Sequence, residues 1–241
     1  MLKTENISVT RGKSITLQNV SLSLAAGQTL AVVGESGAGK STLIAAVLGL
    51  VNLSQGSVTW NGDIVSSCRP SLVMQEPRAA FNPAMSLLRS VMEPLVAHKV
   101  TLDPTRLERL CDGLELPIDL LDRKPNEVSI GQAQRVGILR ALIAAPALVL
   151  FDEPLSALDA VTQKHTARLI AQLQGEEGFA AMIVTHDLGY AAAYSDEIAV
   201  LKDGRVEEKA SAAKFIETPQ TEYGKTLRDA AFALGALEQA V

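Results

Sequence analysis

Cysteines and aromatic residues are scarce in this chain. Its 241 residues hold two cysteines, Cys68 and Cys111, far apart and in no CxxC pair. That spacing argues against a disulfide framework or a thiolate metal site, and both read as ordinary reduced thiols of an intracellular protein. Aromatics make up 4% of the chain, and none precedes Trp60. There is no basic block, and the formal net charge is −5. A nucleic-acid partner therefore has no electrostatic footprint. The longest apolar run, ALIAAPALVLF at 141–151, falls well short of the ~20 residues a membrane helix needs. The amino end, MLKTENISVTRGK, has no apolar h-region, so no signal peptide is expected. What remains is a globular composition, 47% hydrophobic and 20% charged, in a length that suits one large domain or a domain with an insertion. Such a chain is expected to be soluble and to act at a membrane only through a partner.

Short apolar runs mark the organisation. TLAVV (29–33), bounded by Gly27 and Gly34, reads as a buried strand, with a helix from about Lys40 to Leu50 behind it. Further strand signals fall at 57–60, 71–74, 147–151, 180–184 and 197–201, the later ones separated by helical stretches. This alternation predicts a mostly parallel sheet with helices on both faces. The amino-terminal runs ISV, ITL and VSLSL predict antiparallel pairing instead. Residues 76–135 carry several prolines and helical patterns such as PTRLERLCDGLEL but no convincing strand, and read as a helical insertion. The tail is expected to be helical from about 208, with a break at TPQTEYG.

Three strand ends carry the chemistry. Gly34-Glu35-Ser36-Gly37-Ala38-Gly39-Lys40-Ser41, followed by Thr42, fits G-x-x-x-x-G-K-[ST] between a strand and a helix. Its glycines let backbone N–H groups curl around phosphate oxygens, and the helix amino terminus adds partial positive charge. Lys40 would reach the β and γ phosphates of a nucleotide, and the Ser41 hydroxyl would bind Mg²⁺. In LVLFDEP (148–154), an apolar strand delivers Asp152 and Glu153 at its carboxyl end, where ligands bind in open α/β sheets. Asp152 suits a Mg²⁺ role, and Glu153 is placed to orient or deprotonate an attacking water. MIVTHDL ends a third strand with His186, whose strand should lie beside that of Asp152 and bring the imidazole to the γ-phosphate. His98 and His165 sit in helical patterns and read as structural. Gln75 opens the insertion at a hinge, where its amide could contact Mg²⁺ or water.

Together these residues resemble the ATP-binding-cassette (ABC) ATPases. Walker A (34–41), Q-loop (Gln75), signature (129–132), Walker B (148–152), Glu153, D-loop (156–159, ending in Asp159) and H-loop (His186) occur in the family's order. The resemblance covers roughly residues 5–208. It implies an α/β fold: a P-loop NTPase (RecA-like) core with an antiparallel β subdomain (1–75 and 136–208), an inserted helical subdomain (76–135) and a helical tail (209–241). It implies ATP and Mg²⁺ as cofactors. It also implies a head-to-tail pair in which VSIGQAQR, similar to LSGGQ-x-QR, binds the γ-phosphate of ATP held by the other subunit. Ser129, Gly131 and Gln132 then belong to the nucleotide site. The implied partners are a second, identical or different, ATPase subunit, two membrane permease subunits and, indirectly, an extracytoplasmic binding protein, with this chain peripheral on the cytoplasmic face.

The sequence departs from the family pattern twice. Ile130 stands where the first signature glycine is usual, and a β-branched residue disfavours positive φ and close backbone approach. Either it points away at no cost or it slows the partner-side site. The upstream aromatic that usually stacks on adenine is missing, and Arg11 is the expected substitute. MQEPRAAFNP resembles the Q-loop region of the oligopeptide, dipeptide, nickel and metallophore importers in Gln75, Pro77, Asn82 and Pro83, and TPQTEYGKTL resembles their tail in Pro219, Tyr223 and Leu227. Nickel, metal-chelate or peptide cargo is therefore expected. The rival is a non-transport cassette, in phosphonate breakdown or cofactor assembly. A GTPase is disfavoured because no N-K-x-D follows the P-loop.

Overall fold

The computed structural model describes residues 1–12 and 14–237. The last stretch of the expected tail, 238–241, lies outside the described residues. The amino-terminal runs do pair antiparallel. Strand β1 (Leu2–Arg11) pairs with β2 (Ser14–Leu24) on one side. After the buried strand β3 (Thr29–Val33) and helix α1 (Lys40–Val47), β4 (Gln55–Trp60) pairs with the other side of β1, and β5 (Asp63–Ile64) closes that sheet in the order β2-β1-β4-β5.

Next come β6 (Ser71–Val73) and the helices α2 (Leu87–His98), α3 (Pro104–Gly113) and α4 (Ile130–Leu142). Among the described residues 76–135 no strand forms, as the proline-rich helical pattern predicts. Helix α4 runs without a break through residue 135 into the core half of the chain. Strand β7 (Leu148–Asp152), helix α5 (Ala160–Glu177), strand β8 (Ala180–Thr185), helix α6 (Leu188–Tyr194) and strand β9 (Glu197–Lys202) follow. The expected helical tail begins later than the sequence suggests, because 205–211 form a strand, β10 (Arg205–Ser211), antiparallel to β9. Its inward position is the buried Glu208, a charge where an apolar residue would have revealed the alternation. Helices α7 (Ala212–Glu217) and α8 (Glu222–Ala233) complete the described chain.

The second sheet has the order β10-β9-β3-β8-β7-β6, parallel except at β10. Its central strands are buried on both faces, which is why they read as continuous apolar runs. Leu148, Leu150, Met182, Val184, Leu30 and Val32 face one side, where they meet α1 and the inner face of the antiparallel sheet. Val149, Phe151, Ala181 and Ile183 face the other side and meet α2, α3, α4 and α5. Burying each such side chain is worth about 1.5–3 kcal/mol, so this two-sided core holds the strand ends rigidly in one row. The candidate phosphate-loop, Asp152–Glu153 and His186 groups lie in the loops at that row.

Candidate functional site

Strand β3 delivers Gly34, and the loop from Gly34 to Gly39 turns directly into α1. Close packing explains the outer glycines. A Cβ at Gly34 would lie 2.1 Å from the Leu201 carbonyl oxygen, and one at Gly39 would lie 2.7 Å from that of Thr16. Gly37 has φ +84° and open space around it, so its backbone stays approachable. The Lys40 ammonium donates to the carbonyls of Gly34 at 2.8 Å and Glu35 at 3.0 Å. The loop thus folds around its own lysine at a helix amino terminus, an anion-binding arrangement.

Parallel pairing of β7 with β8, in register from Leu148–Ala180 to Asp152–Val184, sets the second and third strand ends beside each other. Glu153 follows at φ +47°, a left-handed conformation unusual for a side-chain-bearing residue. Its N–H donates to the Val184 carbonyl at 2.9 Å, and the turn swings its carboxylate towards α1. There Glu153 Oε2 meets His186 Nδ1 at 2.9 Å, and Oε1 lies 4.0 Å from Lys40 Nζ. The Glu153 side chain is 12% exposed and that of His186 66%. Carboxylate and imidazole therefore meet, with the imidazole open to solvent. Ser41 Oγ donates to Asp152 Oδ1 at 3.2 Å. Burial pushes the Asp152 carboxyl above its ordinary range. The Ser41 hydrogen bond lowers it, the neighbouring Glu153 charge raises it and Lys40 lowers it.

A cleft of about 650 Å³ has Ser36, Gly37, Gly39, Lys40, Ser41, Thr42, Gln75, Glu153 and His186 in its wall, while Asp152 is joined to it through Ser41 and does not line it. Thr16, from the β1–β2 hairpin, lines it as well and was not foreseen; a lone threonine beside a turn gives no sequence signal. Arg11, expected over the adenine, is exposed at the end of β1 and does not line this cleft. The residue types fit a Mg-nucleotide. A hydroxyl and a carboxylate stand together at the loop mouth, with an amide from Gln75 in the same wall, and Mg²⁺ takes few protein ligands beside phosphate oxygens and water.

Ser129, Gly131, Gln132 and Asp159 do not line this cleft. They sit together elsewhere, at the adjoining starts of α4 and α5. Ser129 is the N-cap of α4: its Oγ accepts from the Gln132 N–H at 3.1 Å, while its own N–H donates to Gln132 Oε1 at 2.9 Å. This capping box explains why the helix opens with so many polar groups. It occupies the Gln132 side chain yet leaves the Ser129 hydroxyl proton free to donate. A Cβ at Gly131 would touch Thr162 Cγ2 at 3.0 Å, so the glycine permits the α4–α5 contact. Asp159 caps α5 by accepting from the N–H groups of Val161 and Thr162, and the Thr162 hydroxyl and N–H hold its carboxyl below its ordinary range. Ile130 is the first residue of α4, 44% exposed, and is not among the positive-φ residues. Its backbone is thus helical, and only its projecting side chain distinguishes it from glycine. Upstream, the Arg78 guanidinium donates to the Val128 carbonyl at 2.5 Å, tying the segment after Gln75 to the signature helix.

Two sites thus stand apart on one chain, a phosphate cradle and a capped helix tip. The ABC transporter family model matches residues 17–156. The chain belongs to the ABC transporter family. Its α/β fold is that of an ABC ATPase cassette. It is 35% identical over 228 residues to the oligopeptide transport ATP-binding protein OppF of Haemophilus influenzae, covering 89% of this chain and 69% of OppF. It is also 35% identical over 228 residues to the ABC transporter ATP-binding protein YejF of Escherichia coli, covering 89% of this chain but only 43% of YejF. Among solved structures it is similar to the dimeric, post-hydrolysis ATP-binding cassette MJ0796 bound to ADP and phosphate. That match has a TM-score of 0.78 and 29% identity over 88% of this chain and 99% of the other. Among the described residues no helix of this ABC cassette is long and apolar enough to cross a membrane.

Proposed function

We propose that this chain hydrolyses ATP as the nucleotide-binding subunit of a membrane importer and does so in a head-to-tail pair. The convergence of Glu153, His186 and Lys40 on one cleft carries the hydrolytic part of the reading. The Glu153 carboxylate takes the proton of the attacking water. His186 holds that carboxylate through Nδ1 and offers its other nitrogen outward to the γ-phosphate. Lys40, the backbone N–H groups after Gly37 and the α1 amino terminus bind the phosphates. Ser41, Asp152 and Gln75 would hold Mg²⁺. Bound there, Mg²⁺ supplies charge neutralisation on the phosphate oxygens.

The signature groups, absent from the cleft wall of their own chain, serve the nucleotide of the partner ATPase subunit. The solved relative in a dimeric state supports this pairing. The partner is identical or different, and closure and opening of the pair drive two permease subunits at the cytoplasmic face. The name of OppF favours peptide-type cargo over nickel or metal chelates. An extracytoplasmic binding protein would then deliver the cargo. The test is affinity purification from membranes, followed by an ATPase assay. Two multispanning proteins co-purifying, with turnover stimulated by peptide and its binding protein, support the reading. A soluble multi-enzyme assembly with no membrane component overturns the importer part.

A further inference from the structure

The turn between β9 and β10, Asp203–Gly204, is bonded to the phosphate loop from behind. The Gly204 N–H donates to the Ala38 carbonyl at 3.0 Å. Gly204 is itself held by the β1–β2 hairpin. Its carbonyl accepts from the Gln18 N–H at 2.8 Å, and the neighbouring Arg205 guanidinium donates to Gln18 Oε1 from Nε at 3.1 Å and from Nη2 at 2.7 Å. The Thr16 carbonyl oxygen sits against both glycines of this junction. A Cβ at Gly204 would lie 2.5 Å from it, and one at Gly39 would lie 2.7 Å from it. Three backbone segments therefore meet with no side chain between them, and Gly204, at φ +74°, is the residue type that such a turn admits.

The bond to Ala38 also fixes the peptide that follows. The Ala38–Gly39 peptide is trans and planar, so its carbonyl and its N–H point in opposite directions. With the carbonyl turned to Gly204, the Gly39 N–H is turned away from the hairpin. Gly39 lines the cleft, and among the described residues its N–H finds no backbone acceptor. The preceding Ala38 N–H, by contrast, is taken by the Glu35 carbonyl at 3.2 Å. An open backbone donor beside Lys40, at the amino terminus of α1, suits a phosphate oxygen.

We propose that Gly204 is a positioning residue for nucleotide binding: by holding the Ala38 carbonyl outward, it turns the Gly39 N–H inward as a donor to a phosphate oxygen. The proposal rests on the reading of the cleft as an ATP site. It gives the β9–β10 turn a share in nucleotide affinity although that turn contributes nothing to the cleft wall. Because Gly204 is bonded to Gln18 as well as to Ala38, the donor is aimed before the ligand arrives, and little ordering is left for binding to supply.

Gly204→Ala tests this, because its Cβ must push the turn off Thr16 and so off Ala38. Gly62→Ala is the control. Gly62 has φ +89° and open space around it, in the β4–β5 turn, which has no part in the cleft wall. Both alanines strain a left-handed position and should lower the thermal midpoint. In titration calorimetry with Mg-ATP and steady-state kinetics on the full chain, Gly204→Ala should weaken ATP affinity and raise KM about tenfold, with kcat at saturating ATP within about twofold. Gly62→Ala should keep wild-type affinity. A lowered midpoint with wild-type affinity and KM in Gly204→Ala overturns the proposal, as does an equal loss of affinity in both variants. Should Gly204→Ala fail to fold, NMR of the wild type decides. The through-hydrogen-bond coupling between the Gly204 nitrogen and the Ala38 carbonyl carbon should persist when the β,γ-imido analogue of ATP binds with Mg²⁺, and the Gly39 amide proton should move downfield. Loss of the coupling on binding, or a Gly39 amide that does not move, overturns the proposal. Failure of the wild type itself to bind Mg-ATP would be a failure of the site reading, and the wild-type titration exposes it separately.

Discussion

His186 Nδ1 and Glu153 Oε2 lie 2.9 Å apart, although they end different strands and stand 33 positions apart in sequence. The parallel register of β7 and β8 produces the contact. Nothing in the helices is needed to make it. If His186 holds the base and touches the γ-phosphate, His186→Ala should reduce kcat by roughly 10²-fold or more while leaving the ATP dissociation constant within about twofold. A large KM effect with intact kcat would assign the histidine to binding alone.

Lys40 makes the opposite prediction. Its ammonium sits inside the loop with 9% of the side chain exposed, and it is the cation placed for the phosphates. Lys40→Ala should abolish measurable nucleotide binding. Because two loop carbonyls lose their donor, the thermal midpoint should also fall, by an amount set by about 1 kcal/mol per hydrogen bond. Equilibrium dialysis and thermal unfolding check the two parts.

Asp152 gives a pH-dependent prediction. Its folded-state pKa is raised, chiefly by burial. The folded protein therefore holds this proton more tightly than the unfolded chain. The associated stability is fully present below the unfolded pKa, roughly 4, and is lost as pH rises through the higher folded value. Asp152→Asn should consequently raise the unfolding midpoint of the protein without nucleotide at pH 7, with the gain shrinking towards pH 4. The same variant should lose the Mg²⁺ dependence of ATP binding. Equal midpoints at pH 7 would contradict the burial argument.

Gly34→Ala tests the close approach at the loop base. An added methyl carbon 2.1 Å from the Leu201 carbonyl oxygen cannot be relieved by turning a side chain, because the obstacle is backbone. A loss of about 1–3 kcal/mol in urea unfolding is expected, with weakened ATP binding.

Ile130→Gly tests the projecting side chain in the signature. Since the backbone at 130 is already helical, glycine relieves no strain there and costs at most about 1 kcal/mol of helix stability. If the isoleucine obstructs the partner-side site, ATP turnover of the assembled complex should rise. Unchanged turnover means the side chain is neutral.

Much of this was legible in the sequence because the strands carrying it are buried on both faces and read as apolar runs that stop at functional residues. TLAVV, LVLFD and AMIVT end at Gly34, Glu153 and His186 for that reason. Strand β10 was illegible because its buried position is Glu208, whose partners Gln220 and Thr221 come from a later turn. Thr16 was missed as a cleft residue for a related reason. Its place depends on which hairpin lies beside the phosphate loop, and local pattern does not encode that. Arg11 was assigned from the lack of an aromatic, which says what is missing and not what takes its place.

In the proposed mechanism Glu153 activates the water in a site that binds ATP without it. Single-turnover hydrolysis of radiolabelled ATP by Glu153→Gln in the assembled complex tests this most directly. Wild-type ATP binding, a cleavage rate lower by at least about 100-fold, and retention of intact ATP in a closed pair are expected. Cleavage at the wild-type rate by a protomer that never pairs would contradict it.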